Sequence, residues 1–242
     1  MITVYSLPSQ VQPEVLKDSA AVVIDVLRAT TVITCAVHSG IKEFIPVLDI
    51  TEALRLKSLF PEGSVILGGE RSGLPIDGFD FGNSPQDYTP QRVAGKTLII
   101  TTTNGTAAIH AAKEARKVIL AAFVNADAAV KKLANEDRIT IICSGTCGLE
   151  TEEDMLLAGC IVDRLTSGIY PSQSKYSGLN ETAERVRRLW KNSNTNGVTE
   201  LTALLRRSTG GKNLLRIGLA ADIAAAAQID TMETVAEFRL SR

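Results

Sequence analysis

The amino-acid sequence predicts an α/β fold in which a mostly parallel sheet is covered by helices on both faces. Two patterns carry that expectation. Short apolar runs alternate with longer helical stretches over residues 1–143, as in chains built from βαβ units. Several of those runs are β-branched and almost continuously apolar, which suits strands buried on both faces. A length of 242 residues fits a single α/β domain, with room for a helical subdomain at about residues 167–217.

In chain order, strands are expected at residues 2–7, 21–26, 43–48, 65–69, 97–102, 117–121 and 139–143. Helices are expected between them at residues 30–39, 51–60, 105–115 and 125–135. The last two are rich in alanine, a strong helix former. After Cys143 the pattern becomes mainly helical. Residues 152–166 place Met155, Leu156, Gly159, Val162 and Leu165 along one apolar stripe. Residues 167–178 are turn-rich and read as a loop, residues 180–191, 197–207 and 218–228 as helices, and residues 234–240 as a closing strand.

Composition sets several function classes aside. Apolar residues make up 45% and charged residues 22%, with a formal net charge of −1. Nucleic-acid binding through bulk charge is therefore not expected. No run of about 20 apolar residues is present, so no membrane span is expected. The first ten residues lack a basic segment followed by an apolar one, which points to a cytoplasmic protein. Its four cysteines (Cys35, Cys143, Cys147 and Cys160) then read as reduced thiols, and no C-x-x-C pair suggests zinc.

The informative feature is where polar residues fall. Asp25 and Arg28 follow the second strand, Glu70 and Arg71 the fourth, the run Thr101–Thr106 the fifth, and Ser144 and Gly145 the seventh. In a parallel sheet these four clusters share the carboxyl edge, where open α/β sheets bind ligands. Thr102, Thr103, Asn104, Gly105 and Thr106 open a helix, and free N–H groups with the helix dipole favour an anion there. The plainer reading is a Ser/Thr/Asn cap with a turn. Asp25 with Arg28 reads either as a metal and phosphate site or as a structural ion pair. Acids at 150–154 read mostly as complements to a helix dipole, with one or two reaching the site. Asp222 is either buried and paired or a site residue. The glycine- and proline-bearing stretch 73–90 fits a rigid loop or a lid equally.

Other mechanisms lack their motifs. No cysteine begins a C-x5-R phosphate loop, Leu27 breaks the D-x-D pattern after Asp25, and no G-x-x-x-x-G-K-[ST] or G-x-G-x-x-G occurs. The two histidines, His38 and His110, lie in apolar and Ala-rich helical stretches and read as structural.

Taken together, the segments VVIDVLRATT (22–31), LGGERSGLPIDGFDFGNSP (67–85), TTTNGT (101–106), CSG (143–145) and EEDMLLAG (152–159) are similar to those of 2-phosphosulfolactate phosphatases. The resemblance covers most of residues 1–165 and, less distinctly, GLAADIAAAAQID at 218–230. It implies a three-layer α/β/α fold and a Mg²⁺-dependent hydrolase. That enzyme would convert 2-phospho-3-sulfolactate to 3-sulfolactate, a step toward coenzyme M in organisms that make it. The family's Glu-Asp pair is matched by Glu153 and Asp154. A broader phosphatase of phosphorylated 2-hydroxy acids and a non-catalytic anion-binding module are the alternatives. The sequence leaves a homo-oligomer open.

On this reading Asp25 and Glu70, then Asp154, hold magnesium. Arg28 and Arg71 stabilise phosphoryl oxygens. The 102–106 loop, Ser144 and Gly145 contact substrate. Either water or a carboxylate such as Asp25 attacks phosphorus. Arg28→Ala is expected to cost turnover far more than folding. Lys175, Arg185, Arg188, Lys212 and Arg216 are candidate donors for the sulfonate.

Overall fold

The computed structural model describes residues 1–168, 176, 178–195 and 197–238. Its strands are β1 (Ile2–Tyr5), β2 (Ala20–Ile24), β3 (Glu43–Pro46), β4 (Val65–Arg71), β5 (Leu74–Pro75), β6 (Thr97–Thr101), β7 (Lys117–Ala121), β8 (Ile139–Cys143) and β9 (Ala236–Phe238). They form two sheets where the alternation of the sequence suggested one. The larger runs β1-β8-β2-β7-β9 and the smaller β3-β6-β4-β5. In each, parallel strands are closed at one edge by a short antiparallel strand, β9 or β5.

Side-chain alternation along the strands explains the layering. Ala20, Val22 and Ile24 of β2 pack into one core with Leu157, Cys160 and Ile161. Ala21 and Val23 face the opposite way, into a second core. That second core also takes Ile66, Leu98 and Ile100 from the smaller sheet, so it lies between the two sheets. The helices α2 (Ala29–His38) and α5 (Gly105–Ala111) fill it, contributing Val32, Ile33, Ala36, Ala108 and Ile109. The far face of the smaller sheet (Val65, Leu67 and Ile99) is covered by α3 (Ile50–Lys57) through Ala53. The far face of the larger sheet is covered by α6 (Ala126–Leu133) and α7 (Glu152–Thr166). Each sheet is thus the middle of an α/β/α sandwich, and α2 and α5 serve both. Two single-turn helices, α1 (Pro13–Leu16) and α4 (Pro90–Val93), lie in connections.

The remaining helices are α8 (Glu181–Asn192), α9 (Val198–Arg207), α10 (Thr209–Arg216) and α11 (Ala220–Ala226). They are not separate from the sheet: Ala183, Val186, Leu201, Leu205, Leu214 and Ile223 share the core beneath α7. The predicted closing strand begins at Ala236, two residues later than expected, and residues 239 and 240 lie outside the described set, as do 169–175 and 177 of the predicted loop. Among the described residues no helix is long and apolar enough to cross a membrane.

Candidate active site

The carboxyl ends of both sheets open on one cavity of about 290 Å³. Asp25 reaches it from the end of β2, Glu70 from β4, Thr103 and Asn104 from beyond β6, and Thr146 and Cys147 from beyond β8. The ends of four strands from two sheets therefore meet at one cavity, but beyond β8 it is Thr146 and Cys147, and not the expected Ser144 and Gly145, that line it. The 73–90 stretch contributes Gly73 and Asn83, and α10 contributes Asn213 and Arg216.

Asp25 sits where two helices begin. Its Oδ1 accepts the Ala29 N–H at 3.2 Å, at the first turn of α2. Its Oδ2 lies against the start of α5, so close that a Cβ on Gly105 would stand 2.6 Å from it. The anion at this helix terminus is thus the protein's own carboxylate. Burial raises the pKa of Asp25 well above the ordinary carboxylate range, and Asp154, Glu70 and Glu153 raise it further by like charge. No Lys or Arg is ion-paired with Asp25 among the described residues.

Glu70 is oriented by backbone donors. Its Oε1 accepts the Thr103 N–H and its Oε2 the Gly73 N–H, both at 2.7 Å. Asn104 links the two sheets, its Oδ1 accepting the Cys147 N–H at 3.3 Å. Thr102 and Thr106 do not line the cavity. They close a local ring, with the Thr106 N–H donating to Thr102 Oγ1 at 3.1 Å and the Thr106 hydroxyl to the Thr102 carbonyl at 2.9 Å. They therefore shape the turn as a cap does.

Arg28 lines the cavity but is already paired. Its Nη1 donates to Asp222 Oδ2 at 2.7 Å, with both side chains 3% exposed, and its Nη2 donates to the Gly73 carbonyl at 2.7 Å. Asp222 is thus the buried and paired residue of the two readings. Removing one partner of a buried pair costs about 3–5 kcal/mol. Arg28→Ala is therefore expected to cost folding stability as well as turnover. Arg71 turns away from the cavity, donating to the Glu70 carbonyl at 2.7 Å and to Thr101 Oγ1 at 2.9 Å.

Asp154 lies behind the cavity wall. Its Oδ1 accepts the Val26 N–H at 2.9 Å; its Oδ2 accepts the Ser144 hydroxyl at 3.0 Å and the Gly145 N–H at 3.1 Å. It ties the ends of β2 and β8 together, and Ser144 and Gly145 face it and not the cavity. Burial pushes its pKa up to about 6, against the pull of those donors.

Glu152 and Glu153 explain a helix that the sequence did not reveal. The Thr209 and Gly210 N–H groups of α10 donate to Glu152 Oε2 and Glu153 Oε1, each at 3.0 Å, and the Gly211 N–H to the Ser208 hydroxyl at 3.2 Å. A Cβ on Gly210 would collide with Glu153 Oε1. Two glycines in the first turn weaken helix propensity and hide α10 from pattern reading. The acids of α7 supply its missing caps. Asn213 went unread for that reason; Asn83 lies inside the 67–85 motif, and nothing in its spacing marks it.

Of the sulfonate candidates among the described residues, only Arg216 lines the cavity. Arg185 is held bidentately by Glu150 at 2.9 Å, Arg188 and Lys212 lie elsewhere, and Lys175 is outside the described residues. His110 contacts the Pro46 carbonyl and His38 the Thr234 hydroxyl, both away from the cavity.

Comparison with known proteins gives a consistent result. A family model described as 2-phosphosulpholactate phosphatase matches residues 5–240. A probable 2-phosphosulfolactate phosphatase of Caldicellulosiruptor saccharolyticus is 38% identical, covering 98% of this chain and 96% of its own. Proteins with the same name from Clostridium perfringens and Clostridium acetobutylicum are 39% and 35% identical, covering 95% and 94% of this chain and 90% and 93% of theirs.

Proposed function

Because the chain belongs to the 2-phosphosulfolactate phosphatase family, we propose that it is a magnesium-dependent phosphatase that hydrolyses 2-phospho-3-sulfolactate to 3-sulfolactate and phosphate. The observation that supports the metal is the pair of buried carboxylates, Asp25 and Glu70, brought from two sheets into one cavity. Phosphate, carboxylate and sulfonate together make the substrate strongly anionic. Two carboxylates would repel it unless a cation lay between. The donors fit magnesium, which prefers hard oxygen and takes only one or two protein carboxylates, keeping water in its other positions. Among the described residues Asp25 Oδ2 carries no hydrogen bond, and each Glu70 oxygen retains a lone pair beyond its single N–H donor.

Magnesium held by Asp25 and Glu70 would neutralise phosphoryl charge and orient the attack. The chain's own groups do the rest. Gly73 and Thr103 aim Glu70; Ala29 and the start of α5 aim Asp25. Arg28, fixed by Asp222, presents a guanidinium charge to the cavity for the phosphoryl oxygens. The bond between phosphorus and the C2 oxygen breaks, water supplies the new phosphoryl oxygen, and the C2 oxygen leaves as the hydroxyl of 3-sulfolactate. Where coenzyme M is made, this would be one of its steps.

Calorimetric titration with Mg²⁺ tests the site itself. Wild-type protein should bind the ion and folded Asp25→Asn should lose at least tenfold in affinity. Equal binding by the two would remove Asp25 as a ligand.

A further inference from the structure

The cavity contains one arginine that is not already engaged with a carboxylate. Arg28 is bonded to Asp222, and Arg71 and Arg185 are committed elsewhere. Arg216 is exposed, lines the cavity from the last turn of α10, and forms no ion pair among the described residues. Its Nη2 donates to Asn213 Oδ1 at 3.0 Å, one turn earlier on the same helix. That contact fixes the plane of the guanidinium while leaving its other N–H groups for a ligand.

A second observation on the same cavity also calls for a ligand. Asn83 is 4% exposed, and its Oδ1 has no hydrogen-bond partner. Buried carboxamides are almost always satisfied. Its Nδ2, the accessible end of the carboxamide, makes no hydrogen bond among the described residues and offers its two N–H donors to the cavity. Its neighbour Ser84 donates to Asp222 Oδ2 at 2.9 Å, so the backbone on which Asn83 stands is anchored beside Arg28.

We propose that Arg216, steadied by Asn213, and the carboxamide of Asn83 form the subsite for the second strong anion of the substrate, the sulfonate, and set the preference for sulfonated over unsubstituted hydroxy acids. This rests on the phosphatase reading above. A sulfonate is a fixed monoanion with three acceptor oxygens, so it needs donors other than the metal-bearing carboxylates. A planar guanidinium matches two of its oxygens at once. Glu153 is then a positioning residue: by accepting the Gly210 N–H it seats the helix that carries Arg216.

The test is calorimetric binding of the product 3-sulfolactate and of lactate, both with Mg²⁺, to wild-type protein, Arg216→Ala and Asn213→Ala. Wild type should prefer 3-sulfolactate by about 10–100-fold, the range of a charge-assisted contact. In Arg216→Ala the ratio should fall towards 1, and in Asn213→Ala it should fall several-fold. A wild-type ratio near 1, or a wild-type ratio retained in Arg216→Ala, would overturn the subsite. Phosphate release from 2-phosphosulfolactate is measured on the same samples. A binding ratio that behaves as expected without any release would leave the subsite standing and remove the phosphatase reading instead.

Discussion

Asp25 is the residue on which chemistry and stability pull in opposite directions. Its carboxylate is buried beside three others, and this raises its pKa. Replacing it by Asn removes like-charge repulsion at nearly constant shape. Asp25→Asn should therefore melt no lower than wild type in metal-free buffer, while kcat for phosphate release falls about 10³-fold or more, as when a central electrostatic group is lost. Parallel melting curves and phosphate assays check both signs. Glu153 gives a pH prediction. Burial first, then Asp154, pushes its pKa from the ordinary 4.5 to about 7. The native chain thus holds this proton more tightly than the unfolded chain does. The associated stability is complete below about pH 4.5 and is lost as pH rises through about 7, by on the order of 3 kcal/mol. Denaturant melts of the metal-free chain across that range should show the decline, and Glu153→Gln should make it shallower, the remainder coming from Asp154 and Asp25, whose pKa values are also raised. At this scale the meeting of Asp25, Arg28, Glu70, Thr103 and Asn104 at one cavity was legible in the sequence, because each lies at or just beyond the carboxyl end of a strand. It could not separate Arg28 from Arg71, since the direction of a guanidinium depends on partners 30 and 194 residues away.

The element that most shapes the site is α10. It starts on Ser208 and two glycines, and it exists because Glu152 and Glu153 at the head of α7 cap it. Gly210→Ala improves local helix propensity, yet the added Cβ would meet Glu153 Oε1. This substitution should displace α10 and raise KM for the sulfonated substrate about tenfold or more, with a smaller change in kcat. Steady-state kinetics distinguish that from a purely stabilising helix substitution, which would leave KM alone. The helix α7, by contrast, was legible to the residue, because Thr151 precedes an acidic first turn and an apolar stripe. Asp222 shows the same dependence on distant partners. Asp222→Ala strands Arg28 in a buried position and should lower stability by about 3–5 kcal/mol, measurable by denaturant unfolding.

In the whole molecule, two sheets share the helices α2 and α5, and this arrangement brings the ends of β2, β4, β6 and β8 to one cavity. Strand–helix alternation made the α/β/α character legible. It could not reveal the second sheet, because strand order is set by long-range pairing such as Val23 with Ile142 in one sheet and Leu67 with Ile99 in the other. The convergence is what places the two carboxylates in one cavity. Asp25 comes with the larger sheet and Glu70 with the smaller, so a cation between them would also join the two halves. The most direct test is phosphate release from 2-phosphosulfolactate by the intact chain, with Mg²⁺ and with a chelator. Release should require Mg²⁺, stop with the chelator and return when the ion is restored. Release that continues unchanged in the chelator, or none with Mg²⁺ from folded protein, would contradict the magnesium-dependent phosphatase reading.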